Sequence, residues 1–106
     1  MVAASVTAEP GTEPVYPGTC RSDPQAGSGP HALRFAVSED DAPVSFEDAF
    51  QGACSQQCRQ EAGDFIVLRR DGVCAYHLAV VVDDARLGVT EVVRGADLLS
   101  STARQI

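Results

Sequence analysis

All six prolines of this chain lie within its first 43 residues, and the remainder has none. That split limits the fold more than any other feature, because proline fixes φ, lacks an N–H donor and breaks helices and interior strands. Four of the nine glycines share the same 43 residues. Residues 1–31 are rich in Pro, Gly, Ser and Thr and show no apolar periodicity. Such a stretch buries too little apolar area to offset its ordering entropy, so irregular or disordered chain is expected there. Residues 22–30 read as a flexible surface loop. The chain therefore divides into an irregular segment, 1–30, and an ordered portion, 31–106.

Within the ordered portion, Leu33, Phe35 and Val37 alternate on one face and predict a short strand. Residues 44–47 are expected to pair with it as a hairpin, across the acidic turn 39–43. Residues 48–62 read as a loop or one helical turn. A buried strand is expected over 64–69, ending at the tight turn Asp71-Gly72. From Tyr76 to Arg86, Leu78, Ala79, Val82 and Ala85 fall at helical spacing, with Gly88 as the stop. The valines at 80–82 would suit a strand, but the continuation through Asp83-Asp84-Ala85-Arg86 favours helix. Residues 89–94 then read as a strand, Gly95 as a break and 97–106 as the start of another helix. Strand, helix, strand, helix is the order of an α/β domain with parallel pairing.

All eight basic residues are arginines, against fifteen acids, for a net charge of −7; Lys, Asn and Trp are absent. Without lysine there is no Schiff-base, Walker-type or general-base lysine. Without asparagine there is no N-glycosylation acceptor. The acidity lies in the first half: residues 1–53 carry two arginines against eight acids, residues 54–106 six against seven. Such a balance is poorly suited to neutralising nucleic-acid phosphates unaided. The longest apolar run, Leu78 to Val82, is far shorter than the ~20 residues of a membrane span, and residues 1–5 lack the features of a secretory signal. A cytoplasmic protein with reduced thiols, away from membranes, is the expectation.

Chemistry-bearing side chains are few. Cys54 and Cys58 would share a helical face and are two candidate metal ligands, but no second pair at a usual spacing follows, and incidental thiols are the plainer reading. Cys74 reads as incidental too. His31 reads as solvated and His77 as structural. Asp83-Asp84 either holds a cation or a ribose hydroxyl, or forms a solvated acidic turn; acids near a helix C-terminus oppose the macrodipole. Arg94 ends an expected strand just before a glycine, where α/β sheets bind ligands beyond their strand ends. Its fork suits a carboxylate or phosphate, with Tyr76 able to offer a hydroxyl to the same ligand. The alternative is a surface ion pair.

Asp71-Gly72-Val73-Cys74-Ala75-Tyr76-His77-Leu78-Ala79-Val80-Val81-Val82-Asp83-Asp84, followed by Gly88-Val89-Thr90-Glu91-Val92-Val93-Arg94-Gly95-Ala96-Asp97-Leu98-Leu99, resembles the class I glutamyl-tRNA synthetase family. Ala75-Tyr76 with Leu78-Ala79, the run Thr102-Ala103-Arg104-Gln105-Ile106 and the segment Tyr16-Pro17-Gly18-Thr19-Cys20-Arg21 are most similar to its truncated branch. The similarity extends from about Tyr16 to the end, dense over 64–106 and sparse over 22–62.

The resemblance implies a Rossmann-like nucleotide-binding catalytic domain. It implies an enzyme that activates glutamate with ATP and, in the truncated branch, transfers it to queuosine in the anticodon of tRNA(Asp). Two glutamate-binding positions carry over, onto Tyr76 and Arg94. The last two ligands of the family's zinc site carry over onto Tyr16 and Cys20, as an incomplete set. The HIGH-type motif belongs upstream of residue 1 and the KMSKS-type motif downstream of residue 106. The chain is therefore expected to be a central fragment, monomeric, inactive alone, and unable to hold ATP or zinc stably. An ordinary glutamyl-tRNA synthetase fragment and a non-catalytic interaction protein derived from the domain stand as alternatives.

Overall fold

A computed structural model describes residues 15–22, 29–40 and 42–106. The elements in chain order are α1 (Thr19–Ser22), β1 (Leu33–Phe35), β2 (Val44–Asp48), β3 (Gly52–Gln56), α2 (Cys58–Glu61), β4 (Phe65–Leu68), α3 (Tyr76–Leu87) and a 3-10 helix (Ala96–Arg104). The expectations for residues 1–14, 23–28 and 41 lie outside the described residues. Inside the stretch read as irregular, α1 is a single helical turn closed by the Arg21 N–H on the Gly18 carbonyl, 2.9 Å.

Among the described residues the strands form two separate antiparallel ribbons, β1–β4 and β2–β3. The expected parallel pairing is not found there, nor is the hairpin between β1 and residues 44–47. The reason lies just after β1. The Val37 N–H donates to Asp64 Oδ1 at 3.0 Å, and the Val37 carbonyl accepts from Arg21 Nη2 at 2.6 Å. Side chains have taken the backbone groups that a hairpin would have used. β1 instead lies on β4, with Phe35 opposite Phe65 and their rings stacked 5.4 Å apart. β2 finds its partner in residues 52–56, which were expected as part of a loop or one helical turn. Their connection turns at Asp48, whose Oδ1 accepts the Phe50 and Gln51 N–H groups at 2.8 Å each. Cys54 thus sits in β3 and Cys58 opens α2, so the two do not share a helical face.

The Asp71-Gly72 turn is present, closed by the Gly72 N–H on the Arg69 carbonyl at 2.9 Å. α3 follows it and ends as expected. Gly88 is left-handed (φ 68°), its N–H reaches the Ala85 carbonyl, and the Val89 N–H reaches the Asp84 carbonyl at 2.9 Å. This is a Schellman cap. Residues 89–94, expected as a strand, carry no strand pairing and run with Gly95 as irregular chain; the C-terminal helix is 3-10.

The buried core is small: Val37, Cys58 and Ala103, flanked by Val44, Phe46 and Phe65. α3 has no buried residue, and Leu87 and Val93 are 79% and 90% exposed. A helix apolar on most of its faces belongs inside a larger body. No described helix is long and apolar enough to cross a membrane.

Candidate functional site

A cavity of about 810 Å³ opens where the β2–β3 turn, the outer side of α3, residues 90–95 and the 3-10 helix converge. The 3-10 geometry shapes one wall. With three residues per turn, side chains at i and i+3 eclipse. Ala96, Leu99, Thr102 and Gln105 therefore form one row, and all four line the cavity, while Ser101 and Ala103 are buried away from that row. Phe46 and Val80 add apolar wall; Glu47, Asp48, Asp84 and Glu91 add acids.

Arg94 is the one cation among the described lining residues. Its Nη1 donates to Gln105 Oε1 at 2.6 Å and its Nη2 to Thr102 Oγ1 at 2.7 Å. Both acceptors are neutral, and among the described residues no carboxylate lies within ion-pair distance of this half-buried guanidinium. A guanidinium has five N–H donors; two are engaged, and the fork is held in one orientation with the others left for a ligand. That arrangement can grip a carboxylate or phosphate by paired charge-assisted hydrogen bonds. The surface ion pair weighed for Arg94 is absent among the described residues. Arg94 reaches the cavity from irregular chain, not from a strand end.

Tyr76 is not brought there. It opens α3, is 46% exposed, packs edge-on against His77 with ring centroids 5.7 Å apart, and is not among the residues lining the cavity. Asp84 of the acidic pair does line it. Thr102 and Gln105 are residues to which sequence reasoning gave no role. Their spacing of three is the signal that marks them, but it becomes legible only once the helix is known to be 3-10.

The Tyr16 ring lies beneath the Arg34 guanidinium, 3.8 Å from its carbon to the ring centroid. Cys20 stands in α1, and its side chain lies outside the described residues. No cluster of three or more His, Cys, Asp or Glu suited to a metal occurs among the described residues. The described residues thus do not assemble a zinc site around Tyr16. Cys54 and Cys74 are free thiols and Cys58 is buried; His31 is exposed, and His77 packs edge-on to Phe65 at 5.8 Å.

The other concentration of charge is structural. Asp64, 5% exposed, accepts Arg21 Nε at 2.6 Å and Arg21 Nη2 at 2.7 Å, with Arg59 Nη1 at 3.4 Å. The Arg21 hydrogen bonds hold the Asp64 carboxyl below its ordinary range against the opposing effect of burial; the Val37 N–H and the charges of Arg21 and Arg59 act in the same direction as the bonds. Every oxygen of this group is engaged, so it fastens α1 to β4 and does not offer a ligand site.

Residues 17–106 match the family described as tRNA synthetases class I (E and Q), catalytic domain, and the chain belongs to that family. It is 56% identical over 95 residues to the glutamyl-Q tRNA(Asp) synthetase of Verminephrobacter eiseniae, covering 87% of this chain and 32% of that relative. It is 53% identical over 97 residues to the protein of the same name from Methylococcus capsulatus, covering 91% and 32%. The chain thus spans about a third of the length of these curated relatives.

Proposed function

We propose that this chain is the glutamate-holding portion of a glutamyl-Q tRNA(Asp) synthetase, an enzyme that activates glutamate with ATP and transfers it to queuosine of tRNA(Asp). The observation that carries the reading is Arg94, oriented into a cavity by two neutral acceptors and without a carboxylate partner among the described residues. An α-amino acid with a second carboxylate suits such a wall: the carboxylate meets Arg94, and Glu47, Asp84 or Glu91 offers a partner to the ammonium group. Glutamine, with a neutral amide in place of the carboxylate, gains far less from a guanidinium. Tyr76 belongs to the proposed glutamate site by family likeness alone.

On this reading the chain is a central part of a Rossmann-like domain, and the exposed apolar surface of α3 is covered by the rest of that domain. ATP is handled by segments of the HIGH and KMSKS type outside residues 1–106, so the chain alone carries no adenylation activity and the complete enzyme works in the cytoplasm as a monomer. Reading the coding DNA on both sides tests this. An in-frame HIGH-like motif upstream and a KMSKS-like motif downstream are expected. Stop codons on both sides without those motifs would overturn the synthetase reading in favour of a non-catalytic interaction protein.

A further inference from the structure

We infer that Gln105 is a positioning and selectivity residue of the Arg94 site, acting on the same carboxylate ligand; the inference rests on the functional reading above. The Arg94 guanidinium has only donors, so the Gln105 group 2.6 Å from its Nη1 is the carboxamide oxygen. The carboxamide nitrogen is thereby turned away from Arg94. That Nε2 is buried and has no hydrogen-bond partner among the described residues, on a residue that lines the cavity.

A buried donor left unsatisfied is costly, and the cost disappears when an acceptor arrives. A carboxylate seated on Arg94 brings such acceptors to the neighbouring position. Gln105 therefore does two things. Its oxygen fixes the fork from one side while Thr102 Oγ1 fixes it from the other. Its nitrogen adds a neutral donor beside the cation, so that the ligand is read by a charge and a dipole together. Neutrality matters: a carboxylate at position 105 would hold Arg94 in place as well as the amide does, but would itself neutralise the guanidinium and repel the ligand.

The test uses that difference. The 106-residue chain, wild type and as Gln105→Glu, Gln105→Ala and Thr102→Val, is titrated with L-glutamate, L-glutamine and glutarate, followed by NMR of backbone amides and of the Arg94 Nε–H. The Arg94 Nε–H reports whether the fork stays ordered, and the amide spectrum reports the fold. Gln105→Glu should keep an ordered Arg94 signal yet bind glutamate and glutarate about tenfold or more weakly, with glutamine little changed. Gln105→Ala and Thr102→Val should each broaden the Arg94 signal and weaken glutamate by a smaller factor. Wild-type binding of glutamate with an unaltered affinity in Gln105→Glu would overturn the role of Gln105 while leaving the glutamate site standing. Failure of the wild type to respond to either glutamate or glutarate would overturn the carboxylate site and the Gln105 role together.

Discussion

Arg21 and Asp64, 43 positions apart in the chain, face each other as a bidentate pair, with Nε–Oδ2 at 2.6 Å and Nη2–Oδ1 at 2.7 Å. The pair ties the segment holding Tyr16 and Cys20 to the β1–β4 ribbon, as does the Arg34 guanidinium over the Tyr16 ring. Around it, Arg34 Nη1 donates to the Asp64 carbonyl at 2.9 Å, and Asp64 Oδ1 takes the Val37 N–H. One carboxylate therefore organises α1, the end of β1 and the start of β4.

Removing that carboxylate should be severe. Asp64→Ala takes away the buried acceptor that Arg21 and Arg59 share and frees the Val37 N–H; about 3 kcal/mol of stability is expected to go, the low end for one-sided loss of a buried pair because both arginines reach water and keep the exposed Glu39 within 4.0 Å. The urea midpoint of the variant against wild type measures it.

The same group sets an acid limit. The carboxyl of Asp64 lies below the ordinary aspartate value of 3.8 in the folded chain, as does that of Asp48, whose oxygen takes the Gln51 and Phe50 N–H groups. Above about 3.8 both states are ionised and the stabilisation is fully present. As pH falls below it, the unfolded chain takes up protons first, and the contribution fades until the folded-state values are passed. Urea midpoints should be level from pH 7 to 5 and drop below pH 4. Asp64→Asn should flatten that drop, leaving the part due to Asp48.

At the end of α3, Gly88 has φ 68° and open space where a side chain would go. Alanine there meets no clash, so only its backbone preference acts, at a cost of about 1–2 kcal/mol. Gly63→Ala should cost more, because at φ 64° its Cβ would also meet Val15 Cγ1 at 3.0 Å and the Tyr16 carbonyl at 3.1 Å. Thermal unfolding of the two variants side by side gives the order.

The sequence was legible where local chemistry decides. Gly88 marked the end of α3, Asp71-Gly72 its preceding turn, and the run 64–69 a strand, which spans Phe65–Leu68 and is half-buried, not fully so. It was illegible where partners decide. Gly52-Ala53-Cys54-Ser55-Gln56 has little strand propensity of its own and becomes β3 because β2 lies alongside. Residues 89–94 have the β-branched content of a strand, but no described strand pairs with them. In the site, Arg94 was identified from its motif, whereas Thr102 and Gln105 depend on a 3-10 repeat that composition does not announce. Tyr76 and Arg94 were expected to share a cavity, and only Arg94 lines it.

Zinc should not be retained by this chain. Tyr16 lies under Arg34, and Cys54 and Cys58 sit on different elements; a structural zinc needs about four ligands. Elemental analysis after dialysis against a chelator should find well under one zinc per chain. One equivalent would show that Cys20 recruits ligands beyond those described.

The affinity of the wild-type chain, Arg94→Ala and Arg94→Lys for L-glutamate tests the account most directly. Losing the guanidinium should weaken glutamate by about a hundredfold or more. Lysine should restore only part, since an ammonium lacks the fork, and glutamine binding should change little throughout. Equal glutamate affinity in wild type and Arg94→Ala would contradict the account and leave Arg94 as a structural tie between residues 90–95 and the 3-10 helix.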